Sequence, residues 1–145
     1  MKAAFYKGKR RLFNKLVSVW DRGPYSHMEL VYEGNISVSS SFMDGGVRIK
    51  SIQFNDNNWD FIDLPRGLFD DSISRDWFTN HLGRKYDFLG LIRFAFGPIK
   101  QNKKKWFCSE ACLESLGISD AWRFTPNSAH ALLKSMVEKE NKNVR

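Results

Sequence analysis

The chain has 145 residues, of which 42% are hydrophobic and 14% aromatic, and its formal net charge is +7. These values predict one folded domain with a hydrophobic core and exclude a disordered chain, and no apolar run reaches the ~20 residues of a membrane span. The N-terminus lacks the apolar stretch and cleavage site of a signal peptide, so we expect a cytoplasmic protein. The domain is expected to cover residues 1–137, followed by a charged, flexible tail at 138–145.

Much of the positive charge lies in two runs, residues 7–11 and 103–105. Such runs favour anionic partners in general, including nucleic acid, anionic lipid and acidic cell-wall polymer, although solvated surface charge accounts for most of them. The second run also lies just upstream of Cys108, where positive potential favours an ionised thiol.

The first half of the chain has the alternating pattern of a β-sheet. Five segments are predicted to be strands: 3–6, 28–32, 36–42, 47–50 and 59–64. Short polar turns separate the last four, so we expect these to pair in order as an antiparallel meander. Between the first two strands, residues 10–20 carry apolar side chains every three or four positions, which predicts an amphipathic helix packed on the core.

The second half of the chain is predicted to be helical. Helices are expected over 75–82 with Ser74 as the cap, over 87–96, and from Pro126 to about residue 139 behind the cap Thr125. An antiparallel sheet of about four to six strands with helices packed against one face is an α+β fold.

A further short helix is predicted to begin at, or one residue after, Cys108. The apolar positions that repeat at helical spacing are Ala111, Cys112, Leu113 and Leu116. Cys108 therefore falls where unpaired N–H groups and the helix dipole favour a thiolate over a thiol. The alternative is an inert core thiol, as most unpaired cysteines are. Cys108 and Cys112 share one helix and are expected to stay reduced.

The segment after the turn Gly23-Pro24 offers a partner for this thiol. In a strand, His27 and Glu29 lie on the same face, which suits a base and its orienting carboxylate. A cysteine and a histidine far apart in sequence can meet in the fold, and that pairing is typical of a thiol hydrolase. For Glu29, a solvent-facing carboxylate is the equally weighted alternative.

Five short motifs occur along the chain in an order that is typical of one protein family. They are Tyr25-Ser26-His27, Ser39-Ser40-Ser41, Asp44-Gly45-Gly46-Val47-Arg48, Gly83-x-x-Tyr86-Asp87-x-x-Gly90 and Phe107-Cys108-Ser109-Glu110. Over residues 2–126 this ordered set resembles the circularly permuted NlpC-type, papain-like cysteine peptidases, including the small YiiX-like proteins of bacteria and phages. In that branch the histidine strand precedes the cysteine helix, as it does here.

The resemblance implies a permuted papain-like fold and a cysteine hydrolase. Its substrate would be an amide bond in a peptide or a peptidoglycan-like cell-wall peptide, cleaved through a thioester intermediate. Cys108 would be the nucleophile and His27 the base, and a phage-encoded member would act in the host cytoplasm. Related folds also cleave esters or transfer acyl groups.

The third catalytic group is where this chain departs from the family pattern. In the permuted branch that group falls near residues 39–41, where this chain has only serines. We therefore predict Glu29 as the third group. The oxyanion is expected to meet the N–H of Cys108 and a second donor, either Tyr86 or a loop N–H. Glu110 is expected to have a structural role at the start of the cysteine helix.

No cofactor and no metal ion are expected. The paired glycines at 45–46 are not followed by a helix carrying a lysine, as a phosphate loop would be, and His81 is expected on a polar helix face away from other ligands. The alternative function is a non-catalytic phage-type factor that uses the same fold to bind a host protein or nucleic acid. The oligomeric state stays open.

Overall fold

The computed structural model describes residues 1–8, 23–87 and 104–143. Its strands are β1 (Lys2–Tyr6), β2 (His27–Val31), β3 (Ile36–Ser41), β4 (Gly46–Ser51) and β5 (Trp59–Asp63). Its α-helices are α1 (Asp71–His81), α2 (Cys108–Ser115) and α3 (Pro126–Asn143). The helix predicted over 10–20 lies outside the described residues, as does all but the first residue of the one predicted over 87–96.

The strands form one antiparallel sheet in the order β4-β3-β2-β1-β5. The predicted α+β class, with an antiparallel sheet, is therefore confirmed. The meander holds from β2 to β4, but the expectation that β5 continues it is wrong, because β5 pairs with β1 instead. Pairing with β5 satisfies the second edge of β1, which would otherwise expose its backbone N–H and C=O groups.

The helices pack on one face of the sheet, where the core lies. Core members on the strands are Ala3, Phe5, Met28, Leu30 and Val38, and those on the helices are Phe78, Ala111, Cys112, Leu113, Ala129 and Leu133. Because side chains alternate along a strand, His27 and Glu29 lie on the other face. In the strand register, His27 on β2 pairs with Tyr6 on β1, and Tyr6 also pairs with Trp59 on β5.

Helix α1 begins earlier than the sequence predicts. Its cap is Asp70, whose carboxylate accepts hydrogen bonds from N–H groups of the first turn, and not Ser74. Ser74 is fully buried, and its hydroxyl lies 2.7 Å from the Tyr32 hydroxyl and 3.0 Å from the Ser115 hydroxyl. The prediction failed because Ser74 is suited to a cap by type, whereas its contacts with Tyr32, the residue after β2, and with Ser115 of α2 place it in the core.

Helix α3 begins as predicted and ends later. Thr125 caps it, since its hydroxyl oxygen accepts the N–H of Ser128 at 3.2 Å. The helix continues to Asn143, beyond the end near residue 139 that the sequence predicts, so residues 138–143 of the predicted tail lie in its last turns. Ala129 and Leu133 are completely buried and attach this helix to the core.

Gly46 allows the start of β4 to approach the segment that leads to Tyr86. The Tyr86 N–H donates to the carbonyl of Gly45 at 3.2 Å, and the Val47 N–H donates to that of Arg84 at 2.8 Å. Gly46 has φ of 149°, and a Cβ there would collide with the Arg84 carbonyl oxygen. Only glycine fits this position.

We expect Gly46→Ala to lower the free energy of unfolding by about 3 kcal/mol or more, because it adds a backbone collision to a strained φ. Urea denaturation measures the change. Gly45→Ala is the matched control: Gly45 has φ of 80° but open space around it, so we expect a loss of only about 1 kcal/mol. Equal losses in the two variants would contradict the close approach.

Candidate active site

Cys108 is the first residue of α2, as the sequence predicts, and it follows the extended N-cap Phe107. Glu110 accepts the N–H of Phe107 at 3.4 Å, which confirms its structural role at this helix start. The hydroxyl of Ser109 donates to the carbonyl of Phe124 at 2.6 Å. These contacts fix the first turn, and the N–H of Cys108 is one of the four that an α-helix leaves without an internal partner.

The residue two before Cys108 is attached to the sheet. The carbonyl of Trp106 accepts the Ser40 hydroxyl at 2.6 Å and the Asp87 N–H at 3.0 Å, while its indole N–H donates to Glu114 at 2.6 Å. Ser40 therefore ties β3 to the start of the cysteine helix.

His27 opens β2, directly after a turn that α3 holds. Both backbone groups of Tyr25 bond to the side-chain amide of Asn127, at 3.0 Å and 2.9 Å. The imidazole Nε2 lies 3.1 Å from Oε1 of Glu29. A carboxylate only accepts, so Nε2 carries the proton in this contact and Nδ1 is the nitrogen available to Cys108.

His27 and Cys108 interact directly. Burial lowers the pKa of His27, but the negative charge and hydrogen bond of Cys108, followed by those of Glu29, outweigh it and raise the pKa to about 9. The fold thus brings together the two residues that the sequence predicted as nucleophile and base, which are 81 positions apart. The imidazole bridges the thiol and the carboxylate, as the orienting arrangement of a nucleophilic site requires.

Glu29 is held by a network that the sequence analysis did not identify. Arg48 donates through Nη2 to Oε1 at 2.5 Å and through Nη1 to Oε2 at 3.1 Å, and the Ser37 hydroxyl donates to Oε2. Burial raises the pKa of Glu29, but the hydrogen bonds and charges of His27 and Arg48 lower it to about 2. Glu29 is therefore not the solvent-facing carboxylate that was the alternative.

The serines at 39–41, where the family pattern places a third group, have other partners. The Ser39 hydroxyl donates to the carbonyl of Met28 at 2.7 Å, Ser40 donates to Trp106, and Ser41 hydrogen-bonds to Asp44. The position beside the imidazole is taken by Glu29.

Two further groups lie close to the Cys108 charge. Burial, and then the charges of Cys108, Asp87 and Glu110, raise the pKa of Tyr86 well above its usual value, so its phenol stays protonated and can donate. Burial and the charge of Cys108 also raise the pKa of Cys112 well above normal. Cys112 is therefore the inert core thiol of the two.

A groove on the face of the sheet that carries His27 and Glu29 reaches this site. It has a volume of about 270 Å³, and His27, Glu29 and Tyr86 are part of its lining. Cys108 itself is 2% exposed. The groove therefore reaches His27, which hydrogen-bonds to the thiol, and Tyr86, which lies within range of its charge.

The sequence predicts that His81 lies on a polar helix face, but the structure places its ring against two tryptophans. Its ring stacks on Trp77 at a centroid distance of 4.1 Å and meets the edge of Trp106 at 4.9 Å. Its Nδ1–H donates to the carbonyl of Trp77 at 2.7 Å, because a carbonyl only accepts. In the ranges 1–8, 23–87 and 104–143, no group of three or more metal-ligating side chains is placed to hold an ion.

No protein-family model and no curated protein sequence matches this chain. The likeness to the permuted NlpC-type peptidases therefore stays a prediction, and the interpretation of the site depends on its geometry. Of the helices within the described residues, none has the length and apolarity to cross a membrane.

Proposed function

We propose that this protein is a cysteine hydrolase that cleaves an amide bond in a peptide or cell-wall peptide. The observation that supports this most directly is the imidazole of His27 placed between Cys108 and Glu29. The ordering of histidine strand before cysteine helix, as in the permuted papain-like enzymes that the sequence resembles, agrees with it. We also propose that the protein acts in the cytoplasm.

In this proposal the thiolate of Cys108 attacks the carbonyl carbon, and the pair of electrons moves to the carbonyl oxygen. The N–H of Cys108 and the phenol of Tyr86 donate to that oxygen, each contributing about 3 kcal/mol. His27 gives its Nδ1 proton to the leaving amine as the C–N bond breaks. Water, deprotonated by His27, then hydrolyses the thioester and releases the acid.

A second candidate function is a non-catalytic protein that binds an anionic partner, such as nucleic acid, or a host protein. The near-complete burial of Cys108 and the net charge of +7 favour it. The hydrolase is preferred because a binding protein has no need of a partly buried histidine held between a thiol and a carboxylate.

Selective alkylation separates the two functions. At about pH 6 we expect iodoacetamide to modify Cys108 roughly a hundredfold faster than Cys112, because only Cys108 shares a proton with a histidine. Intact mass and peptide mapping measure both rates. In urea the two thiols should react at the same rate, which controls for differences in reactivity that do not depend on the fold. Equal rates in the folded protein would count against the hydrolase.

A further inference from the structure

The charged side chains that line the groove are already paired with one another. Arg48 contacts Glu29 and also donates through Nε to Asp44 at 2.9 Å, and Lys50 donates to both oxygens of Asp44 at 3.0 Å and 2.8 Å. Burial raises the pKa of Asp44, but these hydrogen bonds lower it to about 2, so the carboxylate stays ionised and paired. A charged substituent in the groove would have to break one of these pairs.

The rest of the lining is largely apolar. Its large apolar and aromatic members are Tyr6, Phe42, Met43, Ile52, Trp59 and Tyr86. Phe42 is 48% exposed and Met43 65% exposed, although both are large hydrophobic residues. Both belong to the turn between β3 and β4, and the Phe42 ring meets that of Tyr86 at a centroid distance of 5.8 Å. Exposed apolar surface of this kind beside a reactive site favours a ligand.

Tyr6 on β1 and Trp59 on β5 line the groove on the other side of β2 from the turn between β3 and β4. Their ring centroids are 4.9 Å apart, and the Trp59 ring meets His27 at 6.4 Å. An apolar group between these rings and that turn would therefore lie directly against the proposed base. The volume of about 270 Å³ falls just under the roughly 300–1,000 Å³ of pockets for drug-sized ligands, so it suits one bulky side chain and not a long chain.

We infer that this groove is a substrate subsite for a single bulky, uncharged apolar group, aromatic or branched aliphatic, adjoining the carbonyl that Cys108 attacks. The inference rests on the proposed hydrolase function and adds the class of substrate. Phe42 and Met43 are its specificity-determining residues. Burying the apolar group against them supplies the binding free energy that a small or charged group lacks.

Two alkylating reagents of different size test the subsite. Iodoacetamide and N-benzyl-iodoacetamide deliver the same reactive carbon, but only the second carries an aromatic group for the groove. We expect Cys108 in the wild-type protein to react about tenfold faster or more with the benzyl reagent, after correction for their rates with a free thiol. In Met43→Ala and Phe42→Ala, the ratio of the corrected rate with the benzyl reagent to that with iodoacetamide should fall toward one.

Ile73→Ala is the matched control. The side chain of Ile73 is 63% exposed, a fraction similar to the 65% of Met43, but Ile73 lies on α1 and is not part of the groove lining. It should leave the ratio unchanged. A reactive Cys108 with equal corrected rates for both reagents would overturn the subsite and leave the hydrolase intact. A Cys108 that reacts no faster than Cys112 with either reagent would overturn both.

Discussion

Under the proposed hydrolase mechanism, replacing Cys108 by alanine is expected to abolish amide hydrolysis, with a fall in rate of at least about a thousandfold, because the other cysteine, Cys112, is enclosed in the core and cannot form the thioester in its place. The measurement is the release of a fluorescent amine from a panel of acyl amides that vary the group next to the carbonyl. Substrates with a bulky apolar group there should be cleaved fastest. His27→Ala should cause a loss of similar size, since both residues act as one unit.

Cys112→Ala is the control for that loss. Cys112 is on the same helix and fully buried, with its thiol directed at the backbone carbonyls of Met28 and Val38. Its replacement should cost about 1–2 kcal/mol of stability through the small cavity that it leaves, yet preserve turnover. Hydrolysis that persists in Cys108→Ala would contradict the mechanism. The absence of turnover on every amide by wild-type protein with a reactive Cys108 would point to another acyl substrate.

Glu29→Gln is expected to have the second largest effect. It removes the buried one of the two carboxylates that pair with Arg48, which should cost about 3 kcal/mol of stability at neutral pH. It also removes one of the interactions that raise the pKa of His27, so that pKa should fall below about 9. The rate of amide hydrolysis should drop at least about tenfold, because the imidazole loses its orienting partner.

The pH dependence of unfolding gives this variant a distinctive signature. The pKa of Glu29 is lowered from 4.5 to about 2, so its contribution to stability is present above 4.5 and is lost as the pH falls through 2. The pKa of His27 is raised from 6.5 to about 9, so its contribution is present below 6.5 and is lost as the pH rises through 9. Glu29→Gln should remove the part of the acid-side loss that Glu29 causes, leaving the part that Asp44 causes, and should shrink the alkaline loss.

Urea denaturation across this pH range, with an NMR titration of the His27 ring, measures both changes. Glu33→Gln is the control, because Glu33 forms a 3.6 Å ion pair with Arg66 in which both side chains are exposed. Such surface pairs contribute well under about 1 kcal/mol. A Glu29→Gln profile that runs parallel to that of the wild-type protein would show that the carboxylate does not act on the imidazole.

The residues of the site could be predicted where local patterns determine them. Period-two alternation places His27 and Glu29 on one face, and the helical spacing of the apolar positions after Cys108 places Cys108 at a helix start. Whether His27 and Glu29 touch depends on rotamers, which the sequence does not specify. Arg48 was missed as a partner of Glu29 because their contact depends on how β4 is aligned on β3 and β3 on β2.

Long-range pairing accounts for the larger errors in the fold. The pattern of β5 is that of any half-buried strand, so it does not reveal that β1 is the partner. Ser74 has the chemistry of a helix cap, and only its contacts with Tyr32 and Ser115 show that it belongs to the core. Both errors arose because the predictions used residues that are close in sequence, whereas the contacts are made with residues that are distant in sequence and close in space.

The turn between β3 and β4 lines the groove and also holds part of the charged network behind His27. Phe42 and Met43 rim the groove, while Asp44, the next residue, holds the arginine that steadies the carboxylate behind the base. Exchanging this turn to admit a different substituent would therefore also retune proton transfer. Redesign of selectivity should keep the aspartate in place and vary only the two residues before it.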